Sequence, residues 1–242
     1  YIHIGGDEAP KSRWKDCENC QNVIENNGLA DEHELQSYFI TRIEKFLEKK
    51  EKKLIGWDEI LEGGLSPNAT VMSWRGFKGG IAAARKGHYV VMTPGSHCYF
   101  DHYQGKSNEE PLAIGGYTPL EMVYEFNPIP EELDAAQANY ILGGQANLWT
   151  EYIKDFKHLE YMAYPRAIAL SQVLWCNEKP PYVDFCKVLY NSHYKKLSFL
   201  DVNYAKSSQR ASIISQTHTK GISLKLNSPD TSDIFYTTLQ SE

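Results

Sequence analysis

Five short apolar runs in this 242-residue chain, at residues 1–4, 53–57, 70–74, 88–92 and 140–144, each stop at glycine, tryptophan, proline or acidic residues. Each has the length of a strand, and helical patterns lie between them. Asp31, with Glu34 three residues on, reads as an N-cap. The helix it opens should bury Leu35, Tyr38, Phe39, Ile43, Phe46 and Leu47. Residues 79–86 form an alanine-rich helical stretch, and further helical patterns run over 158–172 and 182–199. Residues 9–30 read as a polar loop. Residues 96–135 read as a long loop-rich stretch, of the kind that is usually functional in a compact domain. Strand followed by helix, repeated, predicts an α/β fold with a parallel sheet and right-handed crossovers.

The residues that carry chemistry recur at the strand ends: Asp7 and Glu8, Trp57, Trp74, Tyr99 and Asp101, Trp149 and Glu151. A (β/α)8 TIM barrel keeps its active site at that end of its strands. Such a barrel has eight strands in about 250 residues. The expectation is therefore strands 4–8 with their helices over residues 1–204. From about Lys206 the pattern changes. Ile222-Ser223-Leu224-Lys225-Leu226 alternates like a half-buried strand and residues 234–238 are β-rich. Residues 205–242 are expected to be a linker and the start of a β-sandwich-like domain.

His3-Ile4-Gly5-Gly6-Asp7-Glu8 is the most informative segment. Side chains alternate between the faces of a regular strand, so adjacent carboxylates serve one pocket only if the backbone leaves the strand there. Gly5 and Gly6 permit that, because glycine adopts angles closed to other residues. Neighbouring carboxylates tend to divide into one acid and one anion, a division that suits glycoside cleavage. The simpler alternative is an exposed acidic turn. His3 is either a core histidine or a residue that orients the pair.

A net charge of −6 with no long basic run makes nucleic acid an unsuitable partner. No stretch approaches the ~18 apolar residues of a membrane span. Cys17 and Cys20 form a C-x-x-C, but no second pair follows to complete four zinc ligands, which favours a loop disulfide or two free thiols over a metal. No His/Cys/Asp cluster suggests a metal, and no cofactor is expected. His97 and His102 read as loop residues rather than ligands.

The segment from His3 to Glu8 resembles the signature of family 20 glycoside hydrolases, the β-N-acetylhexosaminidases. Gly56-Trp57-Asp58-Glu59, Met72-Ser73-Trp74-Arg75-Gly76, Tyr99-Phe100-Asp101 and Trp149-Thr150-Glu151 agree with that family in order and spacing. The resemblance covers residues 1–204 and implies exo-acting removal of terminal β-linked GlcNAc or GalNAc from glycan or chitooligosaccharide ends. It implies retention assisted by the substrate's own acetamide. Glu8 would then be the acid and base, Asp7 would face the acetamido N–H, and Tyr99 would donate to the acetamido oxygen. Trp57, Trp74 and Trp149 would wall the methyl group and stack the sugar, and Asp101 and Glu151 would bind hydroxyls. Family members also carry an Arg on the first strand and a His on the third, which this strand count leaves outside the chain. For the full-length parent the expected location is periplasmic or secreted. Three other readings remain: release of a disaccharide such as lacto-N-biose, a non-catalytic sugar-binding module, and a fragment active only together with the first half of the barrel.

Overall fold

A computed structural model describes residues 1–206 and the backbone of residues 211–217 and 221–226. Strands β1 (Ile2–His3), β2 (Leu54–Trp57), β3 (Thr70–Ser73), β4 (Val90–Met92) and β5 (Ile141–Gly144) form one sheet in chain order. Every pairing in it is parallel, with Ile2 opposite Leu54, Gly56 opposite Val71, and Val71 opposite Val90. β2 and β3 are buried along their whole length, which explains why they read as unbroken apolar runs. Ile55, Trp57 and Met72 cluster on one face with Trp74 and Val91, while Leu54 and Val71 alternate with them and are equally buried. The five expected strands are all present, and their bounds differ from expectation by one or two residues.

The helices are α1 (Ser12–Lys15), α2 (Glu18–Asn26), α3 (Glu32–Glu48), α4 (Lys78–Arg85), α5 (Gly95–Cys98), α6 (Leu120–Glu125), α7 (Ala135–Ala138), α8 (Phe156–Ala163), α9 (Arg166–Trp175), α10 (Tyr182–Val188) and α11 (Tyr194–Phe199). Two compact units emerge: residues 1–99 with 127–147, and residues 100–126 with 148–242. The first holds the five-stranded sheet. The second holds α6, α8 to α11 and an antiparallel pair, β6 (Ala211–Thr217) with β7 (Gly221–Leu226). The alternating run at 222–226 is thus a strand, and residues 234–238 lie outside the described residues.

Two loop readings need correction. The polar loop over 9–30 is largely helical, as α1 and α2. The start of α2 carries no ordinary cap residue, because the cap is a cysteine: Cys17 Sγ accepts from the Cys20 N–H at 3.3 Å. All five cysteines are free thiols. The long stretch over 96–135 likewise contains α5 and α6.

α3 begins at the expected cap, with Asp31 accepting from the N–H groups of His33 and Glu34. Its buried face, however, is Gln36, Ile40, Glu44 and Leu47, while Phe39 and Phe46 are about 60% exposed. Polar residues occupy that face because each is satisfied. Glu44 accepts from the Asn68 N–H at 3.0 Å and from the Ser66 hydroxyl. Gln36 donates to the carbonyls of Gly6 (3.2 Å) and Glu59 (3.4 Å). Buried amides and carboxylates cost little when paired in this way. The helical pattern over 158–172 breaks into α8 and α9 at Pro165, which has no N–H to continue a helix.

β1 leaves the sheet where the glycines allow it. The Trp57 N–H still donates to Gly5 O at 2.9 Å, so pairing with β2 persists to that residue. Gly5 (φ 72°), Gly6 (φ 100°) and Glu8 (φ 46°) then turn the chain. A Cβ on Gly6 would stand 2.6 Å from Ile60 Cγ2, whereas one on Gly76, at a similar φ of 103°, would meet nothing within 4 Å. Both substitutions to alanine carry the backbone strain, about 1–3 kcal/mol. Gly6→Ala carries the clash as well. Denaturant melts should show Gly6→Ala as the more destabilised of the two. Equal losses would mean that Ile60 yields and that close packing does not fix this turn.

Candidate active site

Asp7 and Glu8 follow the turn and are both exposed. Glu8 sits in the left-handed region, which non-glycine residues enter at a cost. The turn is tied on both sides of the pair. Gln36 holds Gly6 O, and Lys11 Nζ donates to Ala9 O at 2.8 Å and also to the Gln36 side-chain oxygen. His3 closes the base. Its Nδ1 accepts from the Gly5 N–H at 3.1 Å, which places the proton of the neutral ring on Nε2. Its ring meets Trp57 edge-on at 4.7 Å. Burial lowers the His3 pKa, and the charge of Asp7 acts in the opposite sense. Of the two readings of His3, the geometry gives a residue bonded to the turn that carries the acids.

The same unit holds Trp57, Trp74 and Tyr99. Trp57 is buried at the end of β2. Trp74 lies just past β3 and stacks on Tyr99 with centroids 6.2 Å apart and planes at 26°. Its Nε1 donates to Glu59 Oε2 at 2.9 Å. Tyr99 is bridged to Asn147, whose amide donates to Thr93 Oγ1 at 2.9 Å and whose N–H donates to Cys98 O at 2.8 Å. Asn147, Thr93 and Gln145 therefore brace the Tyr99 segment from the ends of β4 and β5.

In the second unit, Asp101 is 4% exposed and its Oδ1 has no hydrogen-bond partner among the described residues. Burial pushes its carboxyl up to about 6, against the pull of Arg166 and with the help of Glu151's charge. Glu151 and Trp149 are exposed. Arg166, fully buried at the start of α9, organises this region. Its guanidinium donates to the carbonyls of His102 (3.0 Å), Thr118 (2.9 Å), Met162 and Phe100, and it stacks over the Phe100 ring at 4.8 Å. His102 is a loop residue against Thr118 Oγ1, whereas His97, expected in a loop, lies in α5 against Ser96. Among the described residues no group of His, Cys, Asp and Glu is arranged to hold a metal ion, and no helix is long and apolar enough to cross a membrane. The sequence gives no sign of the bonds made by Gln36, Glu59, Asn147 and Arg166, because their partners lie elsewhere along the chain.

Comparison with known proteins decides what this arrangement belongs to. The description "Glycosyl hydrolase family 20, catalytic domain" matches residues 1–178. The chain belongs to glycosyl hydrolase family 20. It is 57% identical to a beta-hexosaminidase of Porphyromonas gingivalis over 206 residues, 84% of this chain and 26% of that protein. It is 35% identical to a beta-hexosaminidase of Vibrio furnissii over 175 residues, 71% of this chain and 28% of that protein. Among solved structures it resembles a family 20 exo beta-N-acetylglucosaminidase of Vibrio harveyi in complex with N-acetylglucosamine. The TM-score is 0.76 at 30% identity, over 86% of this chain and 33% of that one. A Flavobacterium johnsoniae chitobiase gives a TM-score of 0.71, also at 30% identity, over 86% of this chain and 30% of that one. The chain thus spans about a quarter to a third of the length of these relatives. Its sheet is the α/β architecture of the family 20 TIM barrel, as the strand pattern implied.

Asp101 yields a prediction with a definite sign. Its folded pKa, about 6, lies above its ordinary value of 3.8. The penalty on folding is therefore complete above about pH 6, shrinks as pH falls between 6 and 3.8, and vanishes only well below 3.8, where both states are protonated. Asp101→Asn should raise Tm relative to the parent at pH 8, and the gain should shrink steadily below pH 6 and disappear only below the ordinary value of 3.8. A gain independent of pH would show that buried charge is not its source.

Proposed function

We propose that the protein carrying this sequence hydrolyses terminal β-linked N-acetylhexosaminides with retention, through an oxazolinium intermediate. The observation that carries the reading is the acid pair itself. In a family 20 chain, two adjacent carboxylates stand at the end of a barrel strand on a turn held on both sides by Gln36 and Lys11. The N-acetylglucosamine complex of the Vibrio harveyi relative supports the sugar class.

In this reading Glu8 protonates the glycosidic oxygen while the substrate's acetamido oxygen attacks the anomeric carbon. The bond to the leaving group breaks and a cyclic oxazolinium forms. Glu8, now a carboxylate, removes a proton from water as that water attacks the same carbon and reopens the ring. An amide oxygen is a weak nucleophile. It gains strength when its N–H faces an anion and its direction is fixed, which are the roles of Asp7 and Tyr99. Trp57, Trp74 and Trp149 supply flat apolar walls. Asp101 offers a sugar hydroxyl the acceptor atom that its buried Oδ1 leaves open, and Glu151 accepts from another.

The two acids separate by leaving group. Glu8→Gln should slow cleavage of a poor leaving group by at least about 10²-fold, the usual scale of a general acid, and should spare a very acidic leaving group. Asp7→Asn should slow both alike, because the acetamide attacks in both. The measurement is kcat/KM for a series of aryl N-acetyl-β-glucosaminides. If both variants showed the same dependence on leaving-group acidity, these roles would be wrongly assigned.

A further inference from the structure

Glu59 is a buried acid that the proposed reaction does not use. It is 7% exposed, next to Asp58 at 1%, and it follows β2 directly. Asp58 already has a full set of partners. Arg75 Nε lies 2.6 Å from its Oδ1, and the Arg75 N–H lies 3.2 Å from its Oδ2. Arg75 also reaches Glu62 at 3.1 Å. That arrangement closes the β2–β3 corner without a second buried carboxylate. Adding Glu59 places two like charges side by side and desolvates one more, and burial raises the Glu59 pKa accordingly. Its contact with Arg75, at 3.6 Å, is the looser one. Its close contact is the 2.9 Å hydrogen bond from the Trp74 indole.

We propose that Glu59 is a positioning residue that fixes the plane of the Trp74 indole against Tyr99. An indole has one donor, and anchoring it removes the freedom of the ring to flip about its Cβ–Cγ bond. Trp74 is half-buried, packed on one side against the Ile55, Trp57 and Met72 cluster, and the bond to Glu59 adds a directional anchor to that packing. Asp58 holds Arg75, Arg75 reaches Glu59, and the chain of contacts runs on from Glu59 through Trp74 to Tyr99. This inference rests on the reading of Trp74 and Tyr99 as acetamide-contacting residues. There a tilt of the wall would misplace the nucleophilic oxygen.

The test compares Glu59→Leu, Glu59→Gln and Trp74→Phe, alone and combined, in the protein that carries this sequence. Each is assayed on an aryl N-acetyl-β-glucosaminide and examined by the indole N–H resonances in a proton–nitrogen correlation spectrum. Trp74→Phe identifies the Trp74 peak by its disappearance. Glu59→Leu should shift that peak upfield, leave the other indole peaks in place and lower kcat/KM by about 10²-fold, the scale of a misplaced reacting group. Glu59→Gln keeps an acceptor and should stay within about threefold of the parent. Glu59→Leu should add little to Trp74→Phe, since the bond is already absent there. An unmoved Trp74 peak, or losses that multiply in the double variant, would overturn the proposal. If Trp74→Phe alone left kcat/KM unchanged, the reading of Trp74 as a sugar contact would fall, and the peak shift would still decide whether Glu59 holds the indole.

Discussion

Strand β1 leaves the sheet after Gly5, so Asp7 and Glu8 follow on a turn and not on a strand. The glycines at 5 and 6 take positive φ, Gly6 packs where Ile60 leaves no room for a side chain, and Glu8 itself is drawn into the left-handed region. A regular strand would have sent Asp7 and Glu8 to opposite faces. The turn trades backbone strain for the placement of two carboxylates, and neighbouring polar groups hold it. Gln36 takes Gly6 O and Lys11 takes Ala9 O.

Buried polar side chains recur as the devices that set position here. Gln36 spans from the acid turn to the carbonyl of Glu59, Asn147 braces Tyr99, and Arg166 gathers carbonyls from the segments around Phe100, His102 and Thr118. Each satisfies groups that would otherwise be buried without a partner, at about 1–3 kcal/mol apiece. Apolar packing gives the sheet its stability. The directional bonds decide where the side chains at its ends point.

Much of this was legible in the sequence, and the reason is local. The strands read as apolar runs, the Asp31 cap obeyed its rule, and the glycines before Asp7 announced a turn. The family signature fixed the fold because its motifs sit at strand ends in order. What escaped was non-local. α3 has apolar residues on one side and buried Gln36 and Glu44 on another, and only their partners at Gly6, Glu59, Ser66 and Asn68 explain the choice. Cys17 caps α2 although cysteine is not a usual cap. Arg166 in the run Tyr164-Pro165-Arg166-Ala167 gives no sign that it is wholly buried.

The central claim is that the substrate's acetamide, and not a carboxylate of the protein, attacks the anomeric carbon. The most direct measurement is the inhibition constant of a thiazoline analogue of the oxazolinium, determined beside the turnover of matched aryl β-glucosides with and without the 2-acetamido group. The account predicts that the thiazoline binds far more tightly than N-acetylglucosamine, as intermediate-like species do, and that the glucoside without the acetamide is a poor substrate. Weak thiazoline binding together with equal turnover of the two glucosides would contradict it and would place the nucleophile on the protein.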